Sequence, residues 1–230
     1  MTKELVIANI PVQVTYKRIK NLYLKVKANR QVLVSAPLHL SEEQLVTFLN
    51  QKIPWIQNKL AKLEEFKMEK PVKYCSGEIH YLWGKAYLLE VIQNNGVSRV
   101  ELQVNKTIKM FVKNDSTIEQ RQKLMNEWYR AQLKEKLPGL VSKWEQIIGV
   151  RSSFIGVRNM RTRWGSCNVT QKRVWLNLQL AKKPIRCLEY VIVHELVHLL
   201  EKNHNRRFYG FMDRFLPEWP ELKQELNRGF

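Results

Sequence analysis

The chain has 230 residues, 44% of them hydrophobic, with a formal net charge of +18 and a pI near 9.9. That length allows one large domain or two small ones with real cores; no apolar run approaches ~20 residues, so no membrane span is expected, and the early acid and short apolar stretches at the start do not read as a signal peptide. Cys75, Cys167 and Cys187 are odd in number and widely spaced, so no disulfide framework or Cys-x-x-Cys site follows, and a reducing cytoplasm is the expected setting.

The first third reads as β-rich. Val12–Tyr16 and Leu22–Val26 alternate apolar and polar residues, and Val32–Ser35 is a further short strand. Ser41-x-x-Gln44 is a capping box that opens a helix whose apolar stripe is Leu45, Leu49, Ile53, Ile56, Leu60 and Leu63. Pro54 is expected to kink that helix or start a second one at Trp55. The charged run from Lys62 to Lys70 leads to Pro71 and a linker. Strand character returns at Ile79–Leu82, Tyr87–Ile92, Val100–Val104 and Thr107–Val112, with a turn signal at Asn94-Asn95-Gly96.

Ser116-x-x-Glu119 predicts a second capped helix carrying Leu124, Trp128, Ala131 and Leu137, which Pro138-Gly139 should kink or end. Arg151–Met160 and Arg173–Leu180 read as strands, the latter with Val174, Leu176, Leu178 and Leu180 on one face. Pro184 suits the start of a helix that sets Leu188, Val191, Ile192 and Leu199 on the core. Phe208, Phe211, Met212 and Phe215 make one more amphipathic helix, ended or bent by Pro217 and Pro220. No internal repeat is visible along the chain.

The strongest chemical signal lies in that penultimate helix. His194, Glu195 and His198 form His-Glu-x-x-His, and three of the five histidines in the chain fall between positions 194 and 204. Positions i and i+4 share one helical face, so both imidazoles reach one metal ion. Glu195 beside them is placed to take a proton from a metal-activated water. The third ligand has several readings. His204 follows His198 at the metzincin spacing, but Glu201 stands where that pattern has a turn-making glycine. Asn203 is then the residue to make the turn, because asparagine tolerates left-handed backbone. Glu201 itself, or a later carboxylate, competes with His204. Two helical histidines and one later ligand leave a coordination position open, the mark of catalytic rather than structural zinc.

These residues resemble the YgjP-like metallopeptidase family and, more distantly, SprT-like and minigluzincin proteases. The resemblance rests on His194-Glu-Leu-Val-His-Leu-Leu-Glu-Lys-Asn-His204 and on Arg161-Thr-Arg-Trp-Gly-Ser-Cys167. The early Lys-Asn-Leu-Tyr-Leu and Val-Ser-Ala-Pro-Leu stretches fit it too, so it covers nearly the whole chain. It implies metal binding by His194, His198 and His204, with Glu195 as catalytic acid/base. It also implies an α+β fold: a β-rich N-terminal region with one helical segment over 1–115, then a zincin-like catalytic domain over 116–230. In such a core a backing helix and a small sheet precede the metal helix. The sheet edge over the cleft would come from around Arg161–Cys167, and Arg161, Arg163 and Trp164 are the candidate substrate contacts.

Charge is unevenly placed. Residues 17–30 hold Lys17, Arg18, Lys20, Lys25, Lys27 and Arg30 and no acid, and Gln146–Leu188 holds nine basic residues and no acid. A charge this large favours polyanionic partners. Three functions are compatible with it. The first is a zinc-dependent peptidase acting on polypeptides. The second is a metal-dependent nucleoside triphosphate pyrophosphohydrolase, for example on a UTP-type nucleotide, an activity to which members of the resembled group have been linked. The third is a metal-stabilised nucleic-acid-binding protein without catalysis, which would have no need of Glu195. One zinc ion is the expected cofactor, although manganese or nickel also suits imidazole ligands.

Overall fold

The computed structural model describes residues 2–27, 29–68 and 72–228, with backbone alone over 62–68. The chain is α+β and divides into two compact units, Met1–Pro71 and Val72–Phe230. Among the described residues no helix is long and apolar enough to cross a membrane.

The first unit is a four-stranded sheet and one helix. β1 (Thr2–Ile7) and β2 (Ile10–Lys17) form a hairpin, β4 (Val32–Pro37) lies parallel to β2, and β3 (Tyr23–Val26) closes the edge antiparallel to β4. The hairpin turn is Ala8-Asn9, both with positive φ, the backbone of a two-residue type I′ turn. Neither residue is glycine, and β1 carries no turn signal in the sequence. α1 (Glu42–Met68) follows, its N-terminus closed by the expected box: Ser41 Oγ accepts from Gln44 N–H, and Gln44 Oε1 accepts from Ser41 N–H. Val12, Val14, Val32, Val34 and Ala36 meet Leu45, Leu49 and Ile56 in a small separate core. Pro54 does not end α1. It sits exposed, where the carbonyl it leaves unpaired can face water. α1 runs on through the start of the charged run to Met68; the side chain of Leu63 and the expected linker at Pro71 lie outside the described residues.

The second unit opens on the same arrangement. β5 (Ile79–Leu82) and β6 (Lys85–Gln93) form a hairpin, β8 (Thr107–Val112) is parallel to β6, and β7 (Arg99–Leu102) closes the edge antiparallel to β8. α2 (Ile118–Ile148) follows behind a capping box formed by Thr117 and Gln120, one residue beyond the expected Ser116. The chain thus holds an internal repeat of fold that its sequence hides. Backbone hydrogen bonds recur at a constant offset of 76 residues, as from Ser41 to Thr117. Lys27 N to Gln31 O answers Gln103 N to Thr107 O, and Leu40 N to Pro37 O answers Ser116 N to Lys113 O.

The expected division at 115/116 is corrected by this packing. Leu82, Leu89, Ile108, Met110 and Val112 share one core with α2 and with the histidine helix, so the boundary falls at Pro71. α2 runs unbroken through Pro138, which is exposed. Its buried face is Met125, Tyr129, Leu133, Leu137, Trp144 and Ile148, one residue out of phase with the Leu124–Trp128 stripe read from sequence. A three-stranded sheet then forms in the order β10 (Gly165–Asn168), β11 (Arg173–Asn177), β9 (Phe154–Arg158), antiparallel for β10/β11 and parallel for β11/β9. β11 is shorter than expected. Asn177 caps a 3-10 turn over Leu178–Lys182, which takes Leu178 and Leu180 out of the strand. α3 (Ile185–Val197), α4 (Arg206–Phe215) and α5 (Trp219–Asn227) complete the unit.

Candidate metal centre and active-site cleft

α3 is buried on most of its surface: Leu188, Val191, Ile192, Val193, Leu196 and Val197 are each 3% exposed or less. The face left over carries His194 and His198. The helix ends at Val197, and His198 follows with helical φ and ψ as its C-cap. The chain then bends back through Glu201 and Asn203 to present His204. Asn203 does not adopt the left-handed backbone expected of it. The turn is closed by hydrogen bonds instead: Glu201 Oε1 accepts from Asn203 N–H, and Asn203 O accepts from Asn205 N–H. One oxygen of Glu201, the competing ligand, is taken up in that turn, and Glu201 is not in the ligand cluster of His194, His198 and His204.

The ligand atoms of His194, His198 and His204 lie within 4.8 Å of one another, and the Nε2 atoms of His194 and His204 are 3.0 Å apart. Tetrahedral Zn–N bonds of ~2.0–2.1 Å set N···N separations of roughly 3.3 Å, the scale of this cluster. Donation from His198 Nδ1 to the Glu201 carbonyl, at 3.2 Å, leaves Nε2 as its ligating nitrogen. Burial, reinforced by His198 and His204, pushes His194 down to about 3, so its imidazole stays neutral, the form that ligates. Phe208, fully buried on α4, lies 4.7–5.0 Å from all three imidazole ring centres and makes an apolar floor. Its place is set by Asn205, whose Oδ1 accepts from Phe208 N–H. The donor set therefore fits one borderline-soft divalent ion held by three imidazole nitrogens.

Glu195 is 5% exposed and faces β10. A methyl group on Gly165 would stand 2.5 Å from Glu195 Oε1, so only glycine lets the carboxylate lie against the strand. That contact explains the glycine of the Arg-Trp-Gly-Ser-Cys element. Burial pushes the Glu195 carboxyl up to about 8, and the Arg163 guanidinium pulls the other way.

The two sequence elements meet across a cleft of about 870 Å³, lined on one side by Arg163 to Thr170 and on the other by Tyr190, His194, Glu195 and His198. Lys202, His204, Lys223 and Asn227 complete its rim. Arg163 and Trp164 are in this lining; Arg161 is exposed and outside it. Trp164 spends its indole N–H on Asn227 Oδ1 and so braces α5 against the rim. Its Nε1 is 3.2 Å from that oxygen. Tyr190 and Tyr209 line a smaller adjoining pocket of about 230 Å³, where burial pushes the Tyr190 hydroxyl up to about 12.

Sequence reasoning missed Asn177, which organises the cleft loop. It is 4% exposed. Its Nδ2 donates to the carbonyls of Met160 and Arg163, and its Oδ1 accepts from the N–H groups of Met160 and Gln179. A satisfied buried amide of this kind fixes a loop in one conformation.

A family model of the YgjP-like metallopeptidase domain matches residues 20–229. The chain belongs to the YgjP-like metallopeptidase family. It is accordingly a metal-dependent hydrolase of α+β architecture. No curated protein matches it in sequence. Solved structures similar to this YgjP-like chain include two metallopeptidase zymogens. Abylysin of Pyrococcus abyssi is 17% identical over 38% of this chain and 89% of that one, with a TM-score of 0.36. Jannalysin of Methanocaldococcus jannaschii is 22% identical over 40% and 93%, also at 0.36.

Proposed function

We propose that the protein is a zinc-dependent peptidase in which His194, His198 and His204 hold the ion and Glu195 is the general acid/base. The observation that carries this reading is that Glu195 and the histidines share one cleft with an unpaired sheet edge. Among the described residues β10 has β11 on one side only, so the other side offers backbone N–H and C=O groups to an extended polypeptide. A bound zinc ion supplies an activated water and polarises the scissile carbonyl. Glu195 takes the proton of the attacking water and returns it to the leaving amine. Gly165 lets that carboxylate sit against the strand that would carry the substrate. Arg163 at the rim is placed to hold a substrate carboxylate or carbonyl.

A second reading has its own observation. Arg163, Lys202 and Lys223 line the cleft, and Glu195 is the one acid among the lining residues. A nucleoside triphosphate fits that charge as well as an acidic peptide does. One assay separates the two: metal-quantified protein against unfolded polypeptides and against nucleoside triphosphates, with and without chelator. Chelator-sensitive peptide cleavage supports the peptidase. Chelator-sensitive release of pyrophosphate without proteolysis replaces it with nucleotide hydrolysis.

A further inference from the structure

The two copies of the ββββα arrangement have the same fold and different charge. From Leu5 to Ser41 the first copy carries Lys17, Arg18, Lys20, Lys25, Lys27 and Arg30 without a single Asp or Glu. The counterpart, residues 81–117, sets five basic residues against Glu90, Glu101 and Asp115. The fold therefore does not require the basic excess, and self-repulsion of like charges opposes it.

The excess is also placed on one surface. Along β3, Leu24 and Val26 pack on the core, so Tyr23 and Lys25 face the other way, and Lys27 follows in phase. Register extends that face across four strands: Tyr23 pairs with Ser35, then Thr15 and Thr2, and Lys25 pairs with Leu33, then Gln13 and, on the far edge strand, Glu4. β3 is the sheet edge, and Tyr23 is 59% exposed there. At the same positions the second copy has Arg99 and Glu101, which pair at 2.7 Å, and Arg99 lies 3.9 Å over the Phe111 ring. Where one copy pairs arginine and glutamate along the edge strand, the other leaves an aromatic ring beside lysines along β3, with Glu4 of the same cross-strand row on the opposite edge.

We propose that the outer face of the N-terminal sheet, with Tyr23, Lys25 and Lys27 along β3, is a docking surface for single-stranded nucleic acid. Lysines on a flat sheet track a phosphate backbone, and an exposed tyrosine stacks on an unpaired base. A duplex offers no such base, and the sheet presents no element to enter a groove.

The test is fluorescence anisotropy of the full chain with a labelled oligodeoxythymidine of about 20 nucleotides across a salt series. Lys25→Glu with Lys27→Glu should weaken binding by about tenfold or more and lower the slope of log K against log salt by about 1.4. Tyr23→Ala should weaken it about fivefold or more, while Tyr23→Phe keeps it. Lys134→Glu with Lys136→Glu, exposed on α2 and equal in net charge, should change it little. The proposal is overturned if the α2 control weakens binding as much as the β3 pair, or if Tyr23→Ala has no effect. Equal binding of a duplex of the same length, or binding of anionic vesicles without binding of the oligonucleotide, overturns it as well. Melting temperatures identify any variant that fails to fold; Lys25→Gln then takes its place.

Discussion

β1–β4 with α1 and β5–β8 with α2 are one arrangement put to two ends. In the second copy the hairpin turn Trp83-Gly84 donates its N–H groups to the carbonyls of Ala181 and Lys182, just ahead of the metal helix. Tyr129 donates to Tyr81 O, and Arg130 to Val157 O, which ties α2 to the sheet of the cleft. At the matching positions α1 has Ile53 and an exposed Pro54. The first copy keeps its own core and its own charge. A few hydrogen-bonding groups on the hairpin turn and on α2, rather than the topology, tie the second copy to the elements of the cleft.

The largest effect expected from breaking this division is at Glu195. Glu195→Gln should lower peptide turnover by about 10²–10⁴-fold, and Lys25→Glu in the first copy should leave it unchanged; initial rates on an unfolded polypeptide compare them. Next comes Gly165→Ala, whose methyl group must displace Glu195. About a 10²-fold loss in kcat with metal content preserved is expected, measured by kinetics alongside metal analysis. Met125 and Leu49 occupy matching positions, each fully buried. Truncating either to Ala should destabilise its own unit by about 2–5 kcal/mol. Thermal inactivation should shift to lower temperature for Met125→Ala and stay put for Leu49→Ala, while calorimetry records the loss in both. If Leu49→Ala inactivates equally, the two copies are not separable.

A smaller comparison concerns the two hairpin turns. Gly84 has φ +79 and would bring a methyl group within 2.8 Å of the Pro184 side chain. Gly84→Ala should destabilise by about 1–3 kcal/mol and Asn9→Ala by about 1 kcal/mol or less, read from denaturant midpoints. The smallest effect is one of pH. Burial pushes His80 down, against the pull of Glu78. Its folded pKa lies below the unfolded one, so the neutral form is favoured by folding. The associated stability is complete above about pH 6.5 and falls as the pH drops below it. His80→Gln should flatten that part of a stability–pH curve.

Much of this was legible where one local rule decides the outcome. Ile79–Leu82 and Thr107–Val112 are strands from alternation alone, and the Ser41 capping box is formed as read. The i, i+4 histidines and the spacing to His204 place three imidazoles together. What was hidden depends on distant partners. α2 turned by one residue because Tyr129 is buried against β5 and donates to Tyr81 O, 48 positions earlier in the chain. Pro54 and Pro138 are tolerated because both face outward. Asn177 left the strand pattern to hold the loop of Arg163, and Gly165 matters through a carboxylate 30 positions away. The repeat escaped notice because it keeps hydrogen bonds and buried positions, not side-chain identities.

The most direct test of the account is to measure bound metal and polypeptide cleavage together in the wild type and in Glu195→Gln. The expected result is one equivalent of zinc in both proteins, with cleavage lost in the variant alone. Full cleavage by a zinc-loaded Glu195→Gln protein would contradict the assignment of Glu195 and of the cleft around it.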